Sequence, residues 1–136
     1  MTMDLEFHHF GLATRSADKS CRVLAGLGYA LGEPVLDSLQ NVNLIWCEHE
    51  AMPAIEVVYP TDGPGPLDTY LADHSEMVYH LCYVADDIQA AIEQLRAVGI
   101  RLFRVAAPKP AVLFGGRSVA FYAAKGLGLI EILEQE

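Results

Sequence analysis

The segment Val78-Tyr-His-Leu-Cys-Tyr-Val84 decides the fold, because an earlier part of the chain has the same pattern. Phe7-His-His-Phe-Gly-Leu-Ala13 also surrounds a histidine with aromatic and apolar residues, and both segments are typical of β-strands. A segment with apolar residues at helical spacing follows each one, at about Asp18–Leu27 and at Asp86–Val98. We therefore interpret the sequence as two copies of one module.

Three further strands are predicted after each helix, so that both modules have the order βαβββ. They are expected at about 34–36, 42–47 and 54–59 in the first module, and at 100–105, 118–123 and 127–133 in the second. A proline- and glycine-rich linker, Thr61-Asp-Gly-Pro-Gly-Pro-Leu67, separates them and is followed by a predicted short helix over Leu67–Ala72. The sequence thus predicts an α+β fold in one domain, 1–136, with module one at about 5–60, a linker at 61–77 and module two at about 78–134.

Composition excludes several classes of protein. The net charge of −9 repels phosphate backbones, so a nucleic-acid partner is not expected. No apolar stretch approaches the roughly 18 residues that span a membrane, and no secretion signal is recognised at the N-terminus. The three cysteines lie in apolar segments and are odd in number, which favours a reducing, cytoplasmic location over a disulfide framework.

The repeat also carries potential metal ligands. His9 and His80 lie in the first strands of their modules, and Glu56 and Glu131 lie in the last strands. Strand alternation places each glutamate on a face with apolar neighbours, where a carboxylate costs several kcal/mol unless it is paired, protonated or metal-bound. Two imidazoles and two carboxylates suit one divalent ion per chain: zinc, cobalt, nickel, manganese or iron(II). Such an ion polarises a substrate carbonyl.

Other polar residues near these positions have two interpretations each. His8 points away from His9 in an extended strand, so we do not expect it to bind the metal. Cys82 shares the face of His80 and either lines the substrate pocket or fills the core as a small apolar side chain. Arg117 follows two glycines in a loop, which is either a plain turn or a segment that brings Arg117 to an anionic substrate group.

Four segments together resemble the vicinal-oxygen-chelate superfamily, which includes glyoxalases, bleomycin resistance proteins, extradiol dioxygenases and methylmalonyl-CoA epimerases. The first strand resembles the opening strand of that superfamily, and the segment from Tyr79 to Ile88 resembles the central motif of the epimerases. The two glutamate-bearing strands are Ala54-Ile-Glu-Val-Val-Tyr-Pro60 and Gly128-Leu-Ile-Glu-Ile-Leu-Glu134. The similarity extends from about Leu5 to Glu134.

The resemblance implies that the modules form a cupped mixed sheet, the glyoxalase-like fold, usually within a homodimer. It implies that the metal ligands are His9, Glu56, His80 and Glu131, and that Glu131 also acts as the catalytic base. One difference concerns a second acid/base glutamate, which some epimerases place after a Gln-Gly-Val motif. Here the similar stretch reads Gln40-Asn-Val-Asn-Leu-Ile45, which puts Leu44, or Asn43 after a shift of one residue, at that place.

The sequence therefore predicts a metal-dependent isomerase, epimerase or lyase that acts next to the carbonyl of a small molecule such as an acyl thioester. One alternative is a non-haem iron(II) oxygenase, because His9, His80 and Glu131 alone would form a two-histidine, one-carboxylate triad. Glu56 argues against it, since a fourth protein ligand takes a position that oxygen and substrate need. The other alternative is a metal-free binding or resistance protein, which the retention of all four ligands disfavours.

Overall fold

The computed structural model describes residues 4–135. Within them, no helix combines the length and the apolar character that crossing a membrane requires. Contacts divide the described residues into two compact units: one is His9–Tyr79, and the other joins the residues before His9 to those from His80 onward. The predicted linker lies within the His9–Tyr79 unit, where the backbone N–H of Arg15 donates to the carbonyl of Ser75 at 2.9 Å.

The described strands and helices follow the predicted order closely. The elements of the first module are β1 (Leu5–Thr14), α1 (Ala17–Gly26), β2 (Ala30–Leu31), β3 (Val35–Asp37), β4 (Val42–Glu48) and β5 (Ala54–Pro60). Those of the second are β6 (Glu76–Ala85), α2 (Ile88–Ala97), β7 (Leu102–Pro110), a 3-10 turn (Val112–Phe114), β8 (Ser118–Ala124) and β9 (Gly128–Glu134). The short β2 was not predicted, and β7 continues well beyond its predicted end.

Local chemistry explains where the two helices begin and end. The side chain of Ser16 accepts a hydrogen bond from the backbone N–H of Lys19, and that of Asp87 accepts one from Ala90. Each side chain thereby caps the first turn of its helix. Gly28 and Gly99 follow the two helices with φ of 99° and 91°, a conformation that favours glycine.

In the His9–Tyr79 unit, the strand order is β2-β4-β5-β1, and β3 also pairs with β4. β1 and β5 are parallel, whereas β4 is antiparallel to β5. One face of these strands packs against α1 through a buried cluster of Leu24, Tyr29, Ile45, Cys47 and Val57. The opposite face carries Glu56.

In the other unit, the strand order is β6-β9-β8-β7. β6 and β9 are parallel, as β1 and β5 are, and β8 is antiparallel to β9. The face toward α2 is a large apolar core that includes Ile92, Tyr122, Ile130 and Ile132. A smaller apolar cluster on the opposite face contains Cys82, Ala111, Val119 and Leu133.

The predicted helix over Leu67–Ala72 is wrong. The segment forms turns, with a backbone hydrogen bond from Leu71 to Leu67 at 2.9 Å. The carboxylate of Asp68 bonds back to the N–H of Gly65, which favours a turn over a helix. Leu67 and Leu71 are nevertheless buried, so two apolar side chains anchor the turn.

Candidate metal centre

His9 and Glu56 form a buried pair in the His9–Tyr79 unit. His9 on β1 lies opposite Ala54 on β5, and Glu56 is two residues further along β5, on the same face as Ala54. The Nε2 atom of His9 is 3.8 Å from Oε1 of Glu56. His9 is 0% exposed and Glu56 is 5% exposed, so the pair is withdrawn from solvent.

His80 and Glu131 form the equivalent pair in the other unit. His80 on β6 lies opposite Leu129 on β9, and Glu131 is again two residues further along the parallel partner strand. The Nε2 atom of His80 is 3.2 Å from Oε1 of Glu131, and both side chains are buried. The two modules therefore place a histidine and a glutamate at the same register offset.

Each pair is completed by an aromatic ring on the neighbouring antiparallel strand. Trp46 on β4 lies directly opposite Glu56, and Phe121 on β8 lies directly opposite Glu131. The ring of Trp46 contacts the ring of His9 edge-to-face, with 5.1 Å between the ring centroids. Phe121 contacts His80 in the same way, with 5.3 Å between the centroids. Neither Trp46 nor Phe121 was among the site residues predicted from the sequence. The signal was available, because each aromatic residue precedes its glutamate by the same number of positions.

The donor atoms of each pair fit a shared metal ion. A divalent ion such as zinc lies about 2.0–2.2 Å from each N or O ligand, so two of its ligands are at most about 4.3 Å apart. The separations of 3.8 Å and 3.2 Å meet this limit. A distance of 3.8 Å is too long for a hydrogen bond, so hydrogen bonding alone does not explain the approach of His9 to Glu56.

The strand β4 carries no carboxylate at either position considered for a second acid/base residue. Leu44 lies opposite Val58, which is two residues after Glu56, so the Leu44 side chain is on the same face as Glu56 and Trp46. Asn43 belongs to the other face, and its side chain donates to the carbonyl of Pro60 at 3.3 Å. Of the two residues considered for the second acid/base position, the one on the Glu56 face is apolar and buried.

Cys82 and Arg117 have well-defined environments. Cys82 lies directly opposite Glu131 and is fully buried within the small apolar cluster. The Nε of Arg117 donates to the backbone carbonyl of Glu134 at 3.0 Å, which ties the Gly115–Gly116 loop to the end of β9. Both glycines have positive φ, as the tight loop requires. The assignment of Cys82 and Arg117 to substrate binding stays a prediction.

The remaining histidines lie in other surroundings. The ring of His8 contacts Phe114 edge-to-face at 5.2 Å, whereas His9 contacts Trp46. His49, which sequence analysis left out of the site, accepts hydrogen bonds from the backbone N–H groups of Ala51 and Met52 at Nδ1. Its Nε2 is 3.1 Å from the carbonyl of Leu27, so His49 joins the end of α1 to the β4–β5 turn.

Comparison with known proteins agrees with the geometry. The family model of the glyoxalase/bleomycin resistance protein/dioxygenase superfamily matches residues 8–121. The mitochondrial methylmalonyl-CoA epimerase of Dictyostelium discoideum is 25% identical over 134 residues, which cover 96% of this chain and 78% of the relative. These matches confirm the resemblance inferred from the four segments.

Solved structures share the fold. The methylmalonyl-CoA epimerase of Mycobacterium tuberculosis superposes with a TM-score of 0.82 at 20% identity, over 100% of this chain and 92% of that one. The epimerase of Streptomyces coelicolor, in complex with 2-nitronate-propionyl-CoA, has a TM-score of 0.74 at 18% identity, over 95% and 96% of the two chains. The predicted glyoxalase-like α+β fold is thereby confirmed.

Proposed function

Because the chain belongs to the glyoxalase/bleomycin resistance protein/dioxygenase superfamily, we propose that it is a divalent-metal-dependent epimerase or isomerase. Its reaction would remove a proton from the carbon next to the carbonyl of a small acyl thioester. The observation that carries this proposal is the repeated buried pair, His9 with Glu56 and His80 with Glu131, at one register offset in both modules.

His9, Glu56, His80 and Glu131 would hold one ion per chain, and zinc, cobalt, nickel, manganese and iron(II) all accept such ligands. When bound, the ion would supply Lewis acidity at the substrate carbonyl and make the neighbouring C–H bond more acidic. The burial of all four side chains supports this assignment, because buried carboxylates are usually paired or bound to metal.

Glu131 is the proposed base. Its carboxylate lies on the face of the small apolar cluster, opposite Cys82, where few water molecules compete for a proton. Phe121 and His80 limit the directions in which that carboxylate can turn. Leu44 occupies the proposed place of a second base, so Glu131 would exchange a proton mainly at one face of the substrate carbon.

The substrate class is inferred from the relatives. The Streptomyces coelicolor epimerase binds 2-nitronate-propionyl-CoA, and a nitronate is a planar anion whose shape resembles the product of proton removal beside a carbonyl. We therefore propose an acyl thioester of the methylmalonyl type. We also propose a homodimer, as the family resemblance implies. We propose a cytoplasmic location, which the three cysteines support, since all three are described and none forms a disulfide.

The test is exchange of the substrate proton with solvent. Metal-loaded protein is mixed with methylmalonyl-CoA in deuterated buffer, and NMR follows the hydrogen next to the carbonyl while an electrode follows dissolved oxygen. We expect deuterium to enter without oxygen uptake, since the reaction is proton transfer. Glu131→Gln should abolish exchange, whereas Glu93→Gln, which alters an exposed carboxylate, should not.

Each outcome selects one function. Oxygen uptake without exchange would replace the isomerase by the iron(II) oxygenase. Binding of the thioester with neither reaction would favour the metal-free binding protein.

A further inference from the structure

An acyl thioester of the methylmalonyl type carries a carboxylate, and the cation that recognises it should lie on the face of Glu131. Arg117 is a weaker candidate than its loop position suggested, because its Nε donates to the carbonyl of Glu134. That hydrogen bond directs the side chain toward the end of β9. The next candidate comes from the register of β7.

Lys109 lies on the same face as Glu131. On β7 it is directly opposite Val119, and on β8 Val119 is directly opposite Leu133. Leu133 is two residues after Glu131 on β9, so alternation places both on one face. This is also the face of the small apolar cluster, whereas Ala120, Ile130 and Ile132 face α2.

The surroundings of Lys109 leave its ammonium group available to a bound anion. Its side chain is half-buried, whereas the neighbouring cations are exposed: Arg101 just before β7, Arg104 on β7 and Lys125 in the β8–β9 turn. The side chain of Lys109 makes no ion pair or hydrogen bond with any residue that the structure describes. A lysine stem can lie along apolar surface while its ammonium group reaches water, which leaves the ammonium group available to a bound anion.

We propose that Lys109 binds the free carboxylate of the acyl group, on the face where Glu131 removes the proton. This inference rests on the proposed function and adds the residue that selects acyl thioesters with a carboxylate over those without one. A lysine suits this role as a compact point charge on a flexible stem. Lys109 and Glu131, on one face of the sheet, would then fix the positions of the substrate carboxylate and of the reacting carbon.

The experiment compares Lys109→Met, which keeps the length of the stem and removes the charge, with Lys125→Met, which makes the same change at an exposed site. Methylmalonyl-CoA and methylmalonyl-pantetheine are the two substrates, because the second lacks the phosphates of coenzyme A. We expect Lys109→Met to raise KM by about tenfold or more for both substrates, since charged hydrogen bonds have that magnitude. Metal content and melting temperature should stay near wild type.

The other results have distinct meanings. An increase in KM with methylmalonyl-CoA alone would assign Lys109 to a phosphate and overturn the proposal. Wild-type KM in Lys109→Met with both substrates, or an equal effect of Lys125→Met, would also overturn it. If the wild-type protein binds malonyl-pantetheine by calorimetry but turns over neither substrate, the epimerase function fails. Loss of that binding in Lys109→Met would then still support the role of Lys109.

Arg117→Met gives a further comparison. Because Arg117 bonds to the carbonyl of Glu134, we expect this variant to lower the melting temperature and to raise KM less than Lys109→Met does. A larger increase in KM for Arg117→Met than for Lys109→Met would return carboxylate binding to Arg117.

Discussion

The imidazole of His80 lies 3.2 Å from the carboxylate of Glu131 because β6 and β9 are parallel and Glu131 is two residues beyond the strand partner of His80. The same offset relates His9 to Glu56 in the other module. A buried histidine and glutamate that recur at one register indicate a common purpose more strongly than either pair alone. The proposed metal centre depends on that repetition.

Metal binding can be followed through the fluorescence of Trp46, the single tryptophan of the chain. Its ring is 5.1 Å from that of His9, so Co²⁺ or Ni²⁺ bound by His9 should quench the emission. We expect quenching to saturate at about one ion per chain, as a single four-ligand site requires. A titration that continues to several ions, or that leaves the emission unchanged, would argue against the site.

Variants assign the quenching to the proposed ligands. His9→Ala, His80→Ala and Glu131→Gln should each weaken the affinity by about 100-fold or more, since even residues behind the ligands contribute tenfold to 100-fold. His8→Ala is the matched control, because His8 contacts Phe114 and we place it outside the ligand set. A loss of affinity in His8→Ala but not in His9→Ala would show that the two histidines had been assigned in reverse.

The two buried histidine–glutamate pairs of the candidate site could be anticipated because equivalent strands of a repeat impose equivalent positions. His9, Glu56, His80 and Glu131 were recognised from their places in the first and last strands of each module. To predict the role of Trp46 and Phe121, one must know which strands are paired, since each residue lies opposite a glutamate only in the folded sheet. The one sign of this role in the sequence is that each aromatic residue precedes its glutamate by the same number of positions.

The end of β7 and the position of Lys109 could not be predicted. Pro108 and Pro110 lack an N–H donor and disfavour a strand, but β7 lies at the edge of its sheet, where such residues are tolerated. The register of β7 against β8 also shifts between Arg104 and Ala106 and again between Ala106 and Lys109. Such irregularities decide which residues face the site, and the pattern of apolar residues does not reveal them.

The aromatic partners should contribute to metal binding by holding the imidazoles in place. Trp46→Leu and Phe121→Leu remove the edge-to-face contacts with His9 and His80, so each ring should sample more orientations. We expect the metal affinity, measured by calorimetry, to fall by about tenfold, the lower end for residues that support metal ligands. Phe103→Leu, which shortens an exposed side chain, should have no effect. Unchanged affinity in both site variants would limit these aromatic residues to core packing.

Cys47 should be unreactive in the folded protein. Burial raises the pKa of its thiol to about 12, so roughly one molecule in 10,000 carries the reactive thiolate at about pH 8. Burial, and then the charge of Asp18, also raises the pKa of Cys21. Iodoacetamide should therefore leave Cys47 unmodified in native protein and label it after unfolding in urea, as peptide mass spectrometry can measure. Rapid labelling of Cys47 in the native state would contradict its buried environment.

The same shift makes a prediction about stability. The folded state holds the Cys47 proton more tightly than the unfolded state, whose pKa is near 9.0, so this contribution is complete below pH 9. It is lost as the pH rises from 9.0 toward about 12. The free energy of unfolding of the wild type should therefore fall more steeply over that range than that of Cys47→Ala, which is the measurement to make with urea.

The last prediction concerns the stereochemistry of exchange. With Leu44 on the Glu56 face of β4, the wild-type protein has one proposed base, Glu131, and deuterium should enter one enantiomer of methylmalonyl-CoA faster than the other. Leu44→Glu would place a second carboxylate on that face and should bring the two exchange rates closer together. A carboxylate buried there is costly, so the variant should also be less stable.

Two further variants are the controls. Glutamine has nearly the same shape as glutamate but no basic group, so Leu44→Gln should keep the wild-type difference between the two exchange rates. Asn43→Glu should keep it as well, because Asn43 belongs to the opposite face of β4. NMR of each enantiomer in deuterated buffer measures all four proteins under one condition. Equal rates in the wild type would mean that a second base already reaches the substrate from another position in the chain. If the two enantiomers exchanged at similar rates in Asn43→Glu but not in Leu44→Glu, Asn43 would occupy the position of the missing glutamate.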